Sequence, residues 1–491
     1  MAKRALKLDG WQDDFRQKKI SPQEAAKLVK SGDYVVIPNE YFGVIPNHLV
    51  ARRDELRNVT VEICVAYFDP GWLQPGLEDS FNVVIRCYLH LARIAHDEGR
   101  IPFIPVTNGT WSKVYRDKRP IGHDIDVFLV VVSPPDENGF CYFANGIWEK
   151  RLYARQAKTV IAEIDSTQPK VHGDAAIHIS EIDYLVDITP EPLTSDEIDA
   201  IAGVIKPEKS AAARNRLRDV HPALLRSMLP IINDIPPELL EVGLNIDDPT
   251  DVMKAMAANL KTLVQDADTL QVGTGKHTKH LVDLGVFDDA NDLGIFSELA
   301  CPGMGFLVKR GTATGRYATL HPGKAVFTSF IGMNPEEIRW AGNNPLFEQY
   351  PGDYVINIAN IARQKNMLAV NNAVKVDLTG QITCESQFGP RLLNGAGGQI
   401  EFHIGAFMSE GGKAVTFIPS TWGNGAVSNI TPYFEEGTLV TISRYWADYV
   451  ITEYGVAQLA GKSHRERAEE LIRIAHPKFR DELTEAAKHI C

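Results

Sequence analysis

One glutamate and one glycine loop in this chain have the types and spacing to do chemistry together. Glu298, in LGIFSELA, follows 25 positions after Gly273, the first glycine of QVGTGKHTKHLV at 271–282. The apolar run at 269–272 reads as a strand that enters Gly273 and Gly275 and then a helical stretch. Glycines there let a backbone come close to a phosphate or pantetheine chain, because no side chain blocks the approach. A second apolar run, 293–296, ends on Ser297 and Glu298, which predicts the carboxylate at the carboxyl end of a strand. That is the rim on which open α/β sheets carry reactive groups. A cradle and a candidate nucleophile then share one rim.

Three further segments are rich in glycine: LLNGAGGQIEFHIGA at 392–406, SEGGKAVTFIPST at 409–421 and ITEYGVAQLAGKS at 451–463. Gly395, Gly397 and Gly398, then Gly411 and Gly412, leave backbone amides free to converge on a ligand, and Lys413 or Lys462 could bring charge to phosphates. Each residue also has a plainer reading. A lone Glu at a strand end is usually solvated or salt-bridged, an isolated glycine pair is often a turn, and surface lysine is the default for Lys276, Lys413 and Lys462. Asn371 and Asn372, in AVNNAVKVDL, either hydrogen-bond a ligand or close a strand edge. Glu453 either orients the centre or pairs with Arg444. Cys301, three residues after Glu298, has no partnered histidine nearby in sequence and reads as a small buried thiol rather than a nucleophile.

These residues need elements to carry them. Short apolar runs at 33–38, 59–67, 126–135 and 159–165 alternate with helical patterns such as 22–31, which predicts parallel strands covered on both faces. A charged, Pro-containing stretch at 205–235 separates this half from a second in which the alternation resumes near Asp251. The second half holds the runs 325–332, 414–421 and 438–455 and closes with amphipathic helices at 463–475 and after Pro477. The expectation is an α/β protein of two similar open parallel-sheet domains, 1–230 and 231–491.

A length of 491 residues with 44% hydrophobic and 23% charged residues suits a globular protein of two or three domains. A net charge of −12 argues against a general binder of nucleic acid or anionic membrane, so a polyanionic ligand would meet local donors rather than a basic field. Cys64, Cys87, Cys141, Cys301, Cys384 and Cys491 are scattered without Cys-x-x-Cys or paired histidine spacing, which predicts reduced thiols, no metal site and a cytoplasmic protein. The amino-terminal MAKRALKLDGWQDDF has no signal-peptide core, and the longest apolar runs are too short to span a bilayer.

Taken together, LGIFSELA, NGAGGQIEF, EGGKAVTFIPST, VITEYGVAQLAGKSHRERAEELIRIAHPKFRDEL, VSPPDENGF and AKTVIAEIDSTQPKVHGDAAIHISEIDYLVD closely resemble the acetyl-CoA hydrolase/transferase family, which includes the 4-hydroxybutyrate and acetate CoA-transferases. The resemblance implies two α/β domains of the class I CoA-transferase type meeting at a cleft, and a catalytic Glu298 that forms a glutamyl-CoA thioester. It implies contacts to CoA from the loop of Gly273, Thr274, Gly275, Lys276 and His277 and from that of Asn394, Gly395, Gly397 and Gly398. To these the reading of the residues adds Asn371 and Lys413. Coenzyme A would be substrate and covalent intermediate, with no permanently bound cofactor and no metal. The partners implied are acyl-CoA and small carboxylic acids, in a homodimer or higher homo-oligomer.

The chain departs from the family pattern at Lys276, His277 and Thr278, where small or apolar residues are usual, and at Phe296, where a polar His or Tyr is common. ACPGMGF follows Glu298 in place of an MFSDG-like run, and NEYFGVIPNHLV at 39–50 keeps only part of a glycine-rich turn. Three functions are compatible with the residues: a CoA-transferase, an acyl-CoA hydrolase on the same scaffold, and an acyl-CoA sensor without chemistry. The sensor reading lacks a basic recognition helix.

Overall fold

The computed structural model describes residue 4 and residues 6–65, 69–87, 90–117, 124–188 and 190–490. Expectations that fall on Ala66, Tyr67 and Cys491 lie outside them. The apolar runs of the first half form six strands: β1 (Tyr34–Ile37), β2 (Val59–Val65), β3 (Phe81–Cys87), β4 (Val127–Val132), β5 (Thr159–Asp165) and β6 (Tyr184–Ile188). They pair in parallel in the order β3-β2-β1-β4-β5-β6. Every residue of β4 is buried, as a parallel strand covered on both faces requires. The helix expected at 22–31 is Pro22–Lys27, started by a Ser21 and Glu24 capping box.

The chain divides into two compact units. The first comprises 1–105, 112–248 and 334–344, the second 106–111, 249–333 and 345–491. The boundary expected near residue 230 thus lies inside the first unit. Helices Ser195–Gly203, Ser210–Leu217, Pro222–Met228 and Pro237–Gly243 share a core of Ile201, Ala213, Leu217, Leu225 and Leu240, so the charged stretch expected to separate the two halves is a packed helical cluster. Its apolar residues bury one face and its charges cover the other.

The second unit is built on β7 (Thr269–Val272), β8 (Gly294–Leu299), β9 (Ala325–Ser329), β10 (Phe347–Gln349), β11 (Met367–Asn372), β12 (Lys413–Phe417), β13 (Tyr449–Thr452) and β14 (Gly455–Gln458). Their order is β14-β13-β12-β11-β7-β8-β9-β10, parallel throughout except for the final β13–β14 hairpin. The chain runs outward from β7 through β10, then returns to β11 on the other side of β7. Strand order therefore reverses at β7 and β11, and the carboxyl ends beside such a reversal are where open sheets form ligand crevices. The run at 438–455 is strand only at its end, because Ile442 bridges to Ile382 in a small side sheet instead of extending β13. The closing helices are His464–Ile474, with a Ser463 capping box, and Arg480–Ala487.

Candidate active site around Glu298

Glu298 is the penultimate residue of β8, beside β9, where Ser297 pairs with Phe327 and Leu299 with Ser329. Strand alternation puts its side chain on the same face as Phe296, which is fully buried against Tyr354. Three groups surround the carboxylate. Asn108 Nδ2 donates to Oε1 at 2.8 Å, the Gly398 amide donates from the start of the helix Gln399–Met408, and Glu401 lies close by on that helix's first turn. Burial pushes the Glu298 carboxyl up to about 7, with Glu401 adding to the rise and the Asn108 and Gly398 donors opposing it. The residue as a whole keeps intermediate exposure, while its carboxyl is enclosed by these groups.

Gly398 is needed for this arrangement. A Cβ there would lie 2.3 Å from Glu298 Oε2 and 2.8 Å from Ile356 Cγ2. Its own φ is −100°, and the left-handed residue is Gly397 at +60°, whose carbonyl accepts the Asn108 amide at 3.1 Å. The second glycine loop therefore serves by close approach at Gly398 and by a left-handed turn at Gly397. Asn394 closes on its own neighbour, Oδ1 accepting from the Gly395 amide at 2.8 Å.

The first loop leaves β7 one strand away from Glu298. Gly273 and Gly275 carry no Cβ because Asn371 Oδ1 would sit 2.9 Å from one and Asn372 Nδ2 2.2 Å from the other. Thr278 braces the loop, its hydroxyl donating to the Gly273 carbonyl and accepting from the Gly275 amide at 3.1 Å and from Asn372 Nδ2 at 2.9 Å. The amides of Thr274, Lys276 and His277 have no hydrogen-bond partner among the described residues, and Thr274 and Lys276 are exposed. His277 is half-buried. Lost hydration, with Lys276 alongside, pushes its imidazole down to about 4. The helix expected after this loop is absent: 276–289 is a run of turns, because Thr278 bonds the loop's own carbonyls and Gly285 turns left-handed at φ +70°.

The models of the acetyl-CoA hydrolase/transferase N-terminal and C-terminal domains match residues 3–194 and 335–487. A 4-hydroxybutyrate coenzyme A transferase of Clostridium kluyveri is 34% identical over 96% of this chain and 98% of its own. The chain belongs to the acetyl-CoA hydrolase/transferase family. A succinyl-CoA:cyclohexane-1-carboxylate CoA transferase of Geobacter metallireducens is 32% identical over 98% of this chain and 97% of its own. The crystal structure of RipA from Yersinia pestis superposes with a TM-score of 0.80 at 27% identity, covering 98% and 100% of the two chains. Glu298 lies between the two matched segments, whereas Asn108 falls in the first and Gly398 and Glu401 in the second.

Within this family member, two expected CoA contacts are engaged with other side chains. Lys413 starts β12 at the amino end of the sheet, opposite Glu298, and is buried in an ion pair with the fully buried Asp268 at 3.0 Å. A lysine at an amino-end register, next to the residue that precedes β7, packs as a core pair and not as a phosphate ligand. Asn371 is buried, and its amide exchanges both bonds with Gln271, at 3.0 and 3.1 Å, so it bridges β7 and β11 beside Gly273. Lys462 pairs with Glu470 at 2.5 Å. Glu453 accepts from the Ser420 amide and hydroxyl at 2.8 and 2.5 Å, and not from Arg444. The Cys301 thiol is buried against the Val272 and Gly273 carbonyls, both at 3.4 Å.

Thr107, Asn108 and Glu401 were missed. Asn108 is 190 positions from Glu298, in VTNGTW, and nothing local in that turn marks it. Glu401 had a signal: an acid three residues past a capping glycine, on a helix that starts at the candidate rim. Among the described residues no group of three or more His, Cys, Asp or Glu could hold a metal ion, and no helix is long and apolar enough to cross a membrane.

Proposed function

We propose that this chain is an acyl-CoA:carboxylate CoA-transferase that moves CoA between short or medium carboxylic acids through a glutamyl-CoA thioester on Glu298. The observation that carries the reading is a carboxylate at a strand end, packed under a glycine with no room for a Cβ and held by two donors, Asn108 Nδ2 and the Gly398 amide. Glu298 attacks the thioester carbonyl carbon, the C–S bond breaks, and the thiolate leaves a mixed anhydride. The thiolate then attacks the Glu298 carboxyl carbon, releasing the first acid as its carboxylate and leaving glutamyl-CoA. A second carboxylate reverses both steps and frees Glu298. No proton is gained or lost overall, so the cycle needs an ionised Glu298 and donors for the oxyanions. One preorganised donor is worth about 3 kcal/mol. The Gly398 amide already points at the reacting carboxyl, and the Thr274, Lys276 and His277 amides are the set left for acyl and pantetheine oxygens. Coenzyme A enters only as substrate and intermediate. The protein is also read as a cytoplasmic homo-oligomer, which sedimentation of the purified chain checks.

Incubation with an acyl-CoA alone tests the reading, since the first half-reaction needs no acceptor. Peptide mapping is expected to find CoA on Glu298. An adduct on Cys301, or none, overturns it. Thiol release that outpaces transfer to an added carboxylate would place the chain with the hydrolases.

A further inference from the structure

Thr107, Asn108 and Gly109 meet the catalytic residue and the helix that caps it. The Asn108 side chain reaches Glu298, and its backbone amide is tied to the Gly397 carbonyl at 3.1 Å. One residue earlier, the Thr107 hydroxyl donates to Glu401 Oε1. One residue later, Gly109 leaves no room for a side chain: a Cβ would stand 2.1 Å from the Ile356 carbonyl oxygen and 2.9 Å from Glu401 Oε1. The segment is therefore bonded to Glu401 at Thr107 and packed closely against Ile356 and Glu401 at Gly109. Glu401 is buried to 3% exposure, and its Oε2 has no hydrogen-bond partner among the described residues. A carboxyl is costly to place there unless what it holds is needed, because an unsatisfied buried polar atom opposes folding.

We infer that Glu401 is a positioning residue which, through the Thr107 hydroxyl, fixes the Asn108 amide on the nucleophile Glu298. The inference rests on the glutamyl reading. Glu401 itself touches no reacting atom. The backbone tie of Asn108 to Gly397 sets the height of the loop, and the Thr107 hydroxyl on Glu401, one residue away, holds the rotation that aims the Asn108 side chain at Glu298. A misplacement of the order of 1 Å at a reacting group is worth up to about 100-fold in rate.

The test is single-turnover loading of Glu298 from acyl-CoA, with steady-state kinetics beside it. Thr107→Val, nearly isosteric but without the hydroxyl, is expected to slow loading about 10- to 100-fold with KM for acyl-CoA within about threefold. Thr107→Ser restores the donor and recovers most of the rate. Glu401→Gln keeps an Oε1 acceptor and loses less than Glu401→Leu. In an Asn108→Ala background Thr107→Val adds nothing, because the group it positions is gone. If Thr107→Val loads Glu298 at the wild-type rate, or if its cost persists unchanged in Asn108→Ala, the positioning role is overturned while the glutamyl reading stands. A wild-type enzyme that transfers CoA without ever loading Glu298 overturns the glutamyl reading and this role with it.

Discussion

At the scale of the residue, the site is set by what is missing at 398 and by what surrounds 298. Because φ at Gly398 is −100°, an ordinary value for any residue, Gly398→Ala tests the contact alone: its Cβ would fall 2.3 Å from Glu298 Oε2 and displace the carboxylate. Transfer is expected to drop about 100-fold with the fold intact by circular dichroism, and Gly398→Val to drop further. Activity near wild type would mean that the carboxylate has room to move. Burial gives a second expectation. With Glu298 pushed up to about 7, kcat/KM should rise with pH through that value as the proposed nucleophile ionises, and level off above it. The same shift makes a stability statement. A carboxyl that binds its proton more tightly folded than unfolded contributes stability in full below about 4.5, and loses it as pH rises through about 7. Glu298→Gln should therefore be more stable than wild type above pH 7, by about 1–3 kcal/mol allowing for the residue's partial exposure, and nearly equal below pH 5. Urea titrations at pH 5 and pH 8 check the sign. A variant less stable at pH 8 would contradict it.

At the scale of the element, the strands were the most legible part, since continuous apolar runs of four to seven residues flanked by turn signals have one common use. β5 falls on the expected 159–165, and β7 on the expected 269–272. What failed depended on contacts between elements. Residues 276–289 have a helical pattern, but Thr278 spends its hydroxyl on the loop carbonyls. Residues 205–235 are charged enough for a linker, but their apolar residues close a helical core. Half of the site was legible for the same reason. Glu298 and Gly398 lie in motifs with local character, whereas Asn108 is fixed by a contact 190 positions away. Lys413 is the clearest case of a charge read for chemistry that serves an element. It joins the start of β12 to Asp268 just ahead of β7, deep in the sheet. Lys413→Ala should cost about 3 kcal/mol, because it leaves a buried carboxylate alone. Unfolding measurements check this, and the folded fraction should still load Glu298 at the wild-type rate. Loss of CoA affinity without loss of stability would return Lys413 to the ligand set.

At the scale of the whole molecule, charge sets the problem the site must solve. The chain carries a net −12, so its overall field opposes the approach of a coenzyme that is itself an anion. Capture must then rely on groups close to the binding loops, where distances are short and screening is least complete. On the proposed reading Lys276 contributes to this: it sits in the first glycine loop, is exposed, and has no ion-pair partner among the described residues. A lysine contact to phosphate is a point charge on a flexible stem, without the geometry of a bidentate pair, so its worth is mainly Coulombic and falls as ionic strength rises. Lys276→Ala should accordingly raise KM for acyl-CoA by roughly two- to fivefold at about 0.01 M salt, where the Debye length is near 30 Å, and by little at 1 M, where it is near 3 Å. Its kcat at saturating acyl-CoA should stay within about twofold of wild type, because a contact made equally in ground and transition states changes binding and not turnover. Steady-state kinetics across a salt series separates the outcomes. A KM change that persists at 1 M salt would show Lys276 acting through loop shape, and a fall in kcat would place its side chain at the reacting acyl group.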